Sequence, residues 1–171
     1  MPILYSARRG AHARRSTVAR VVTLRPLTPS NRAAAEALRL APGQERFVSS
    51  VADSLREAAA HPDARPLCFV VEADDTPVGF VMLADEVASS DYIPHFLWKL
   101  LIDERHQRRG YGTAALDEVV AFFRGRPGVE RVRTTAHPGE GSPIPFYERY
   151  GFVRTGEQFE GDVVLDLPIA R

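Results

Sequence analysis

An apolar, strand-like run from Phe96 to Ile102 is followed, after a charged turn, by Gln107-Arg108-Arg109-Gly110-Tyr111-Gly112-Thr113. A helical pattern starts at once, with Leu116, Val119, Val120 and Phe123 at i, i+3, i+4, i+7 spacing. No Ser, Asp or Asn stands just ahead of that helix to cap it. Gly110 and Gly112 stand there instead, and the first N–H groups of a helix have no internal partners. Glycine admits close backbone approach, and open N–H groups at the positive end of a helix dipole attract an anion, above all a phosphate. Arg105, Arg108 and Arg109 add positive charge at the same end. The chemistry this spacing offers is an anion cradle. A β-branched side chain at Gly112 is expected to block the anion's approach, the more so if φ is positive there.

A second cluster lies downstream, Phe146-Tyr147-Glu148-Arg149-Tyr150-Gly151-Phe152. Gln107-x-x-Gly110-x-Gly112 resembles the Q/R-x-x-G-x-G/A pyrophosphate loop of the GNAT superfamily, the Gcn5-related N-acetyltransferases. The downstream cluster resembles that superfamily's "FYEKLGF" signature at a family-like distance. The resemblance spans Val21 to Ile169 and implies an enzyme that uses acetyl-CoA as co-substrate, with no metal. It further implies that the N–H groups of Arg108, Arg109, Gly110, Tyr111, Gly112 and Thr113 hold the CoA pyrophosphate, with Gln107 opening the loop. The backbone of Leu100, Leu101, Ile102 and Asp103 would pair with the pantetheine arm as if it were another strand. The strings around Gly139 to Tyr147, Phe96 to Asp103 and Gln44 to Val48 are similar to those of bacterial spermidine/spermine-type acetyltransferases.

Acetyl transfer from a thioester to an amine needs a fixed carrier, a neutral amine and a proton for the departing thiolate. The resemblance gives Tyr147 the last role, and a phenol with a pKa near ~10 keeps its proton at neutral pH. An alkyl ammonium of pKa roughly 10.4 costs about 4–5 kcal/mol to deprotonate at pH 7. Several polyamine-acetylating relatives carry a central-strand Glu for this; here Trp98-Lys99 occupies the aligned place, and neither can serve. Asp91, His95, Glu45, Glu86 or a water chain stay open, and no base is assigned. Where many relatives have an Asn touching CoA, this chain has Glu140, and Ser142 is the expected substitute.

The elements that must position these residues fit in one domain: 171 residues, 44% hydrophobic and 26% charged. No apolar run approaches a membrane span. The single cysteine, Cys68, excludes an internal disulfide and suits a cytoplasmic setting, and the five histidines show no metal-site spacing. Five arginines and no acid fall in residues 1–20, leaving 17 basic against 22 acidic residues in the remainder. An acidic body suits a cationic acceptor. Residues 1–19 read as an Arg-rich arm, with a dispensable tail preferred over a nucleic-acid arm or transit peptide, and 20–171 as a single N-acetyltransferase domain. A homodimer stays open.

Taken in order, strands are expected at Val21–Leu27, Pro66–Ala73, Val78–Leu83, Phe96–Ile102, Val129–Ala136, Phe152-Val153 and Val163–Leu167. Helices are expected near Asn31–Leu40 with Thr28 or Ser30 as cap, within Gln44–Ala60, from the cradle to Gly125, and from Ser142-Pro143 to Tyr150. The order β-α-α-β-β-β-α-β-α-β-β predicts an α/β fold with a GNAT-like mixed central sheet flanked by helices. The function this predicts is acetyl transfer to a primary amine of a small cationic substrate, polyamines first. The alternatives are an aminoglycoside or protein N-terminal acetyltransferase, or a non-catalytic CoA-binding regulatory module.

Overall fold

The apolar runs pair into one seven-stranded sheet of order β1-β2-β3-β4-β5-β7-β6. The computed structural model describes residues 21–85 and 93–169. The arginine-rich arm, Glu86 and Asp91 lie outside these described residues. The strands are β1 Thr23–Pro26, β2 Pro66–Ala73, β3 Thr76–Ala84, β4 Phe96–Ile102, β5 Arg131–Ala136, β6 Val153–Phe159 and β7 Asp162–Pro168. The helices are α1 Arg32–Glu36, α2 Val51–Ala60, α3 Tyr111–Arg124 and α4 Ile144–Tyr150. The expected element order is the observed one.

β1 to β4 form an antiparallel meander, and β7 pairs antiparallel with both β5 and β6. The turn between β2 and β3 takes positive φ at Asp74 and Asp75, as a two-residue hairpin turn requires, with no glycine. β4 and β5 are the one parallel pair in the described sheet, and α3 is the crossover that a parallel pair demands. α3 lays Ala115, Leu116, Val119, Val120 and Phe123 on one face of the sheet, against Val81, Leu83 and Leu97. α1 and α2 cover the other face, with Ala35, Leu38, Val51 and Ala58 against Phe80, Met82 and Leu101. β3 is buried from Val78 to Ala84 because it has a core on each side.

Leu97 belongs to the core under α3 and Leu101 to the core under α1 and α2. Positions an even number apart should share a face of a strand. The ladder explains the flip: Leu83 opposes Leu97 and Met82 opposes Lys99, so Trp98 has no partner of its own and forms a bulge. Trp98 therefore packs with the α1/α2 core, and Lys99, opposite Met82, lies on that same face.

α1 is shorter than its apolar pattern suggests. The Arg39 N–H donates to Asp103 Oδ2 (2.9 Å) and the Glu104 N–H to the Arg39 carbonyl (2.9 Å), a two-way clamp that ends the helix early. Its capping position is Asn31, with no side-chain cap; Asn31 Oδ1 instead accepts from the Thr28 N–H at 2.7 Å. Within Gln44–Ala60 the chain makes a 3-10 turn, Gln44–Arg46, before α2 starts at a Ser50 cap whose Oγ accepts from the Asp53 N–H. β6 runs further than its sequence suggests, because a polar edge strand is formed by pairing with β7 rather than by burial.

Candidate active site

β4 and β5 pair at only two positions, Phe96 with Arg133 and Leu97 with Thr134. The Thr134 hydroxyl donates to the Leu97 carbonyl (2.9 Å) at the end of this short ladder, and beyond it the strands part. The fork opens into a cavity of about 960 Å³. The Asp103 N–H donates to the Val78 carbonyl (2.9 Å), so strict ladder alternation commits Leu101 and Lys99 to β3 as well. Leu100 and Ile102 then turn their backbone groups to the fork. Of the four residues expected to meet the pantetheine arm, Leu100, Leu101 and Ile102 line the cavity. Asp103 is absent from the lining: its side chain is fully buried, and its backbone N–H is committed to β3.

Asp103 instead staples the cradle. Its Oδ1 accepts from the Arg105 N–H and Nε (2.9 and 2.8 Å), and its Oδ2 from Arg105 NH2 and the Arg39 N–H (both 2.9 Å). The Arg105 guanidinium first, then these backbone N–H groups, hold its carboxyl well below the usual carboxylate range. Gln107 Nε2 donates to the Ile102 carbonyl (2.9 Å) and to Gln44 Oε1 (2.7 Å), so the first motif residue ties its loop to β4 and to the 3-10 turn. Arg108 and Gly110 take the left-handed conformation, with φ of 57° and 87°, whereas Gly112 does not. The first helical bond runs from the Ala114 N–H to the Gly110 carbonyl (3.0 Å), so the Gly112 and Thr113 N–H groups precede it at the helix end. The positive φ falls on Gly110, so the condition under which backbone strain would add to the block at Gly112 is not met. A Cβ on Gly112 would meet Phe146 Cζ at 3.2 Å.

Arg108, Gly110, Tyr111, Gly112 and Thr113 line the cavity with Gln107; Arg109 does not. Arg105 is committed to Asp103. Arg149, one turn along α4 from Phe146, joins Arg108 in the lining and also shares a smaller pocket with Thr113. His106 lines the same end, and its Nδ1 is buried with no partner among the described residues. Open N–H groups, two arginines and an unsatisfied ring nitrogen together fit an anionic, hydrogen-bonding ligand such as CoA.

Tyr147 sits on α4 beside the fork, 6% exposed and lining the cavity. Burial pushes its phenol up to about 12. The rings of Phe146 and Phe152, at 5.4 and 5.2 Å between centroids, fix its plane. Ser142 also lines the cavity, but its hydroxyl donates to the His137 carbonyl (2.7 Å) and accepts from the Ile144 N–H, which shapes the start of α4. The 3-10 turn reaches across: Arg46 NH2 donates to the Glu140 carbonyl at 3.3 Å, and a Cβ on Gly141 would lie 3.5 Å from Phe47.

At the far end from the cradle, toward the start of β4, the cavity is lined by Phe96, Trp98 and Lys99 with Glu57 and His61; Phe159, Glu160 and Asp162, from the turn between β6 and β7, line it as well. The lining thus combines arginines at the cradle with the carboxylates of Glu57, Glu160 and Asp162 away from it. Of the four residues proposed from sequence as bases, Glu45 and His95 do not line the cavity. His95 pairs with Asp85 (3.1 Å), which also pairs with Arg126 (2.8 Å). Cys68 is not in the lining either, and burial raises its thiol to about 11, in keeping with a packing role. Sequence reasoning missed Glu57, Arg149, His106 and Thr134. Arg149 lay inside a recognised motif, but Glu57 meets its partners only through α2 folding over β4.

This fold and fork are those of the acetyltransferase (GNAT) family, whose model matches residues 20–152. The chain belongs to that family and is an N-acetyltransferase, a class whose acetyl donor is acetyl-CoA. Among solved structures it is similar to an acetyltransferase from Thermus thermophilus, with 22% identity, a TM-score of 0.59, and 88% of this chain and 98% of that one covered. The PaiA N-acetyltransferase of Thermoplasma acidophilum in complex with coenzyme A matches at 15% identity and a TM-score of 0.59, covering 86% and 98%. A chimera of the spermidine N-acetyltransferase SpeG from Vibrio cholerae and hSSAT matches at 19% identity and a TM-score of 0.58, covering 85% and 92%. At these identities the likeness is one of fold. No curated protein matches the sequence. Among the described residues no group of side chains forms a metal site, and no helix is long and apolar enough to cross a membrane.

Proposed function

We propose that this enzyme acetylates a primary amine of a small cationic acceptor, with polyamines first among the candidates, and that Tyr147 is the general acid. The observation that carries the reading is the make-up of one cavity: Arg108, Arg149 and the N–H groups at the start of α3, the aromatic rings and carboxylates of Trp98, Phe159, Glu57, Glu160 and Asp162, and Tyr147 beside the fork. Bound acetyl-CoA supplies a thioester carbon for the amine to attack. The cradle N–H groups, Arg108 and Arg149 hold the donor's phosphates, and the open edge at Leu100 and the Ile102 N–H aligns its arm. Tyr147 keeps its proton through the whole physiological range because burial disfavours the phenolate. As the C–N bond forms and the C–S bond breaks, the Tyr147 proton passes to sulfur. The phenolate then recovers a proton from the nitrogen, which leaves Tyr147 as it began.

Release of CoA thiol is to be measured with spermidine, an aminoglycoside, an amino-acid amide and a peptide with a free N-terminus. Turnover with spermidine supports the reading. Tight acetyl-CoA binding with no turnover of any amine refutes it and favours a regulatory CoA-binding module.

A further inference from the structure

The far end of the cavity contains an ion pair that no step above uses. Glu57, on α2, is one-third exposed; its Oε2 lies 2.9 Å from Lys99 Nζ, and its Oε1 accepts from the Trp98 indole N–H at 2.9 Å. All three side chains line the cavity. Adjacent residues of a regular strand point to opposite faces, so one carboxylate cannot ordinarily be reached by both. The bulge in β4 removes that restriction by placing Trp98 and Lys99 on the α2 face together. The Trp98 ring is itself braced by His61, at 6.2 Å between centroids.

We infer that Glu57 is the residue that receives the acceptor's ammonium group and sets the preference for a cation; this rests on the amine-acetylating reading above. An ionised carboxylate has about four lone-pair sites. Trp98 and Lys99 occupy one on each oxygen, which fixes the orientation of the group and leaves a site on each oxygen for a donor in the cavity. A carboxylate held from two sides is pre-organised, so an incoming ammonium group orders nothing further. Lys99 has a second effect, of opposite sign. Its own charge repels a cation, so the pair sets a selectivity in which Glu57 attracts and Lys99 moderates. Glu160 and Asp162 also line the cavity, Asp162 in contact with His137, and add negative charge to it for a second positive charge on the acceptor.

A structural staple and an electrostatic receptor respond differently to loss of each half. The test uses the full chain saturated with CoA, titrated calorimetrically with spermidine and with hexylamine. Steady-state kinetics with each amine and thermal midpoints run in parallel. Glu57→Gln keeps an acceptor for the Trp98 N–H and removes the charge; spermidine binding is expected to weaken at least tenfold, and hexylamine less. Lys99→Met removes the opposing charge; spermidine binding is expected to tighten severalfold. CoA affinity should be unchanged in both variants. Equal weakening in the two variants, or wild-type spermidine affinity in Glu57→Gln, overturns the inference while leaving the enzymatic reading intact. Wild-type protein that binds CoA and neither amine overturns both.

Discussion

Replacing Gly112 with valine tests the donor end of the site most sharply. Gly112 is an ordinary helical residue of α3, so valine meets no backbone strain. The obstacle is a neighbour: a Cβ would lie 3.2 Å from Phe146 Cζ, 3.4 Å from Phe146 Cε2 and 3.8 Å from Ile102 Cγ1. Alanine requires Phe146 to give by a few tenths of an ångström. Valine adds two methyl groups with one strongly preferred rotamer in a helix, and overpacking of this kind costs about 1–3 kcal/mol. The strain reaches the chemistry because Phe146 precedes Tyr147 and packs on its ring at 5.4 Å. A displacement of about 1 Å at a reacting group costs on the order of 100-fold in rate. The expected order is wild type, then Gly112→Ala close behind, then Gly112→Val, with kcat falling roughly 100-fold and CoA affinity falling as well. Gly110→Ala separates the two effects: it strains a left-handed residue by about 1–2 kcal/mol at the cradle and keeps the glycine that faces Phe146. It should weaken CoA binding more than it slows turnover by bound donor. Calorimetric titration of CoA, single-turnover rates at saturating donor, and circular dichroism decide the matter. Folded Gly112→Val with normal affinity and normal kcat would refute the contact through Phe146 and the placement of the phosphates at this helix end.

Tyr147→Phe should lose roughly 100- to 10,000-fold in kcat with little change in CoA affinity, measured by thiol release and calorimetry. Because the phenol is raised to about 12, its ionisation should produce no alkaline loss of rate below about pH 11; a Tyr147-dependent limb nearer pH 8 would contradict the burial argument. Asp103→Ala leaves the Arg39 and Arg105 N–H groups without their acceptor and should cost about 2–4 kcal/mol in denaturant unfolding, with a weakened CoA site. The lowered carboxyls of Asp103 and Asp166, bound chiefly by Arg105 and Arg133, contribute stability that is full above their ordinary pKa of about 3.9. That contribution is lost as pH falls below it, so thermal midpoints should drop below about pH 4, and Asp103→Asn should flatten the drop.

How much of this is legible in the sequence depends on the range of the interactions. β2 and β4 are readable because a dense apolar run bounded by turns has one interpretation, and α3 because its apolar spacing is uninterrupted. α1 reads too long since the group that ends it, the Asp103 carboxylate, lies far along the chain. The glycine motif locates the cradle, yet which glycine bends the chain is not in the pattern: Gly110 carries the positive φ, and Gly112 is kept small by Phe146. Glu57 reads locally as one more polar residue of an amphipathic helix. Only the register of β4 against β3 brings Trp98 and Lys99 to it.

That register makes β4 a strand whose length matters more than its letters. Leu97 is counted from one face and Leu101 from the other, with Trp98 as the extra residue between them. Substitutions along β4 change one side chain at a time. A single deletion between Leu97 and Leu101 would abolish the bulge and leave these two leucines an odd number of places apart, so strict alternation would keep each in its own core. What would be lost is the sharing of the α2 face by Trp98 and Lys99, and with it their joint hold on Glu57. Divergence in this segment should therefore proceed by replacement at constant length, and gaps should fall in the connections on either side of it.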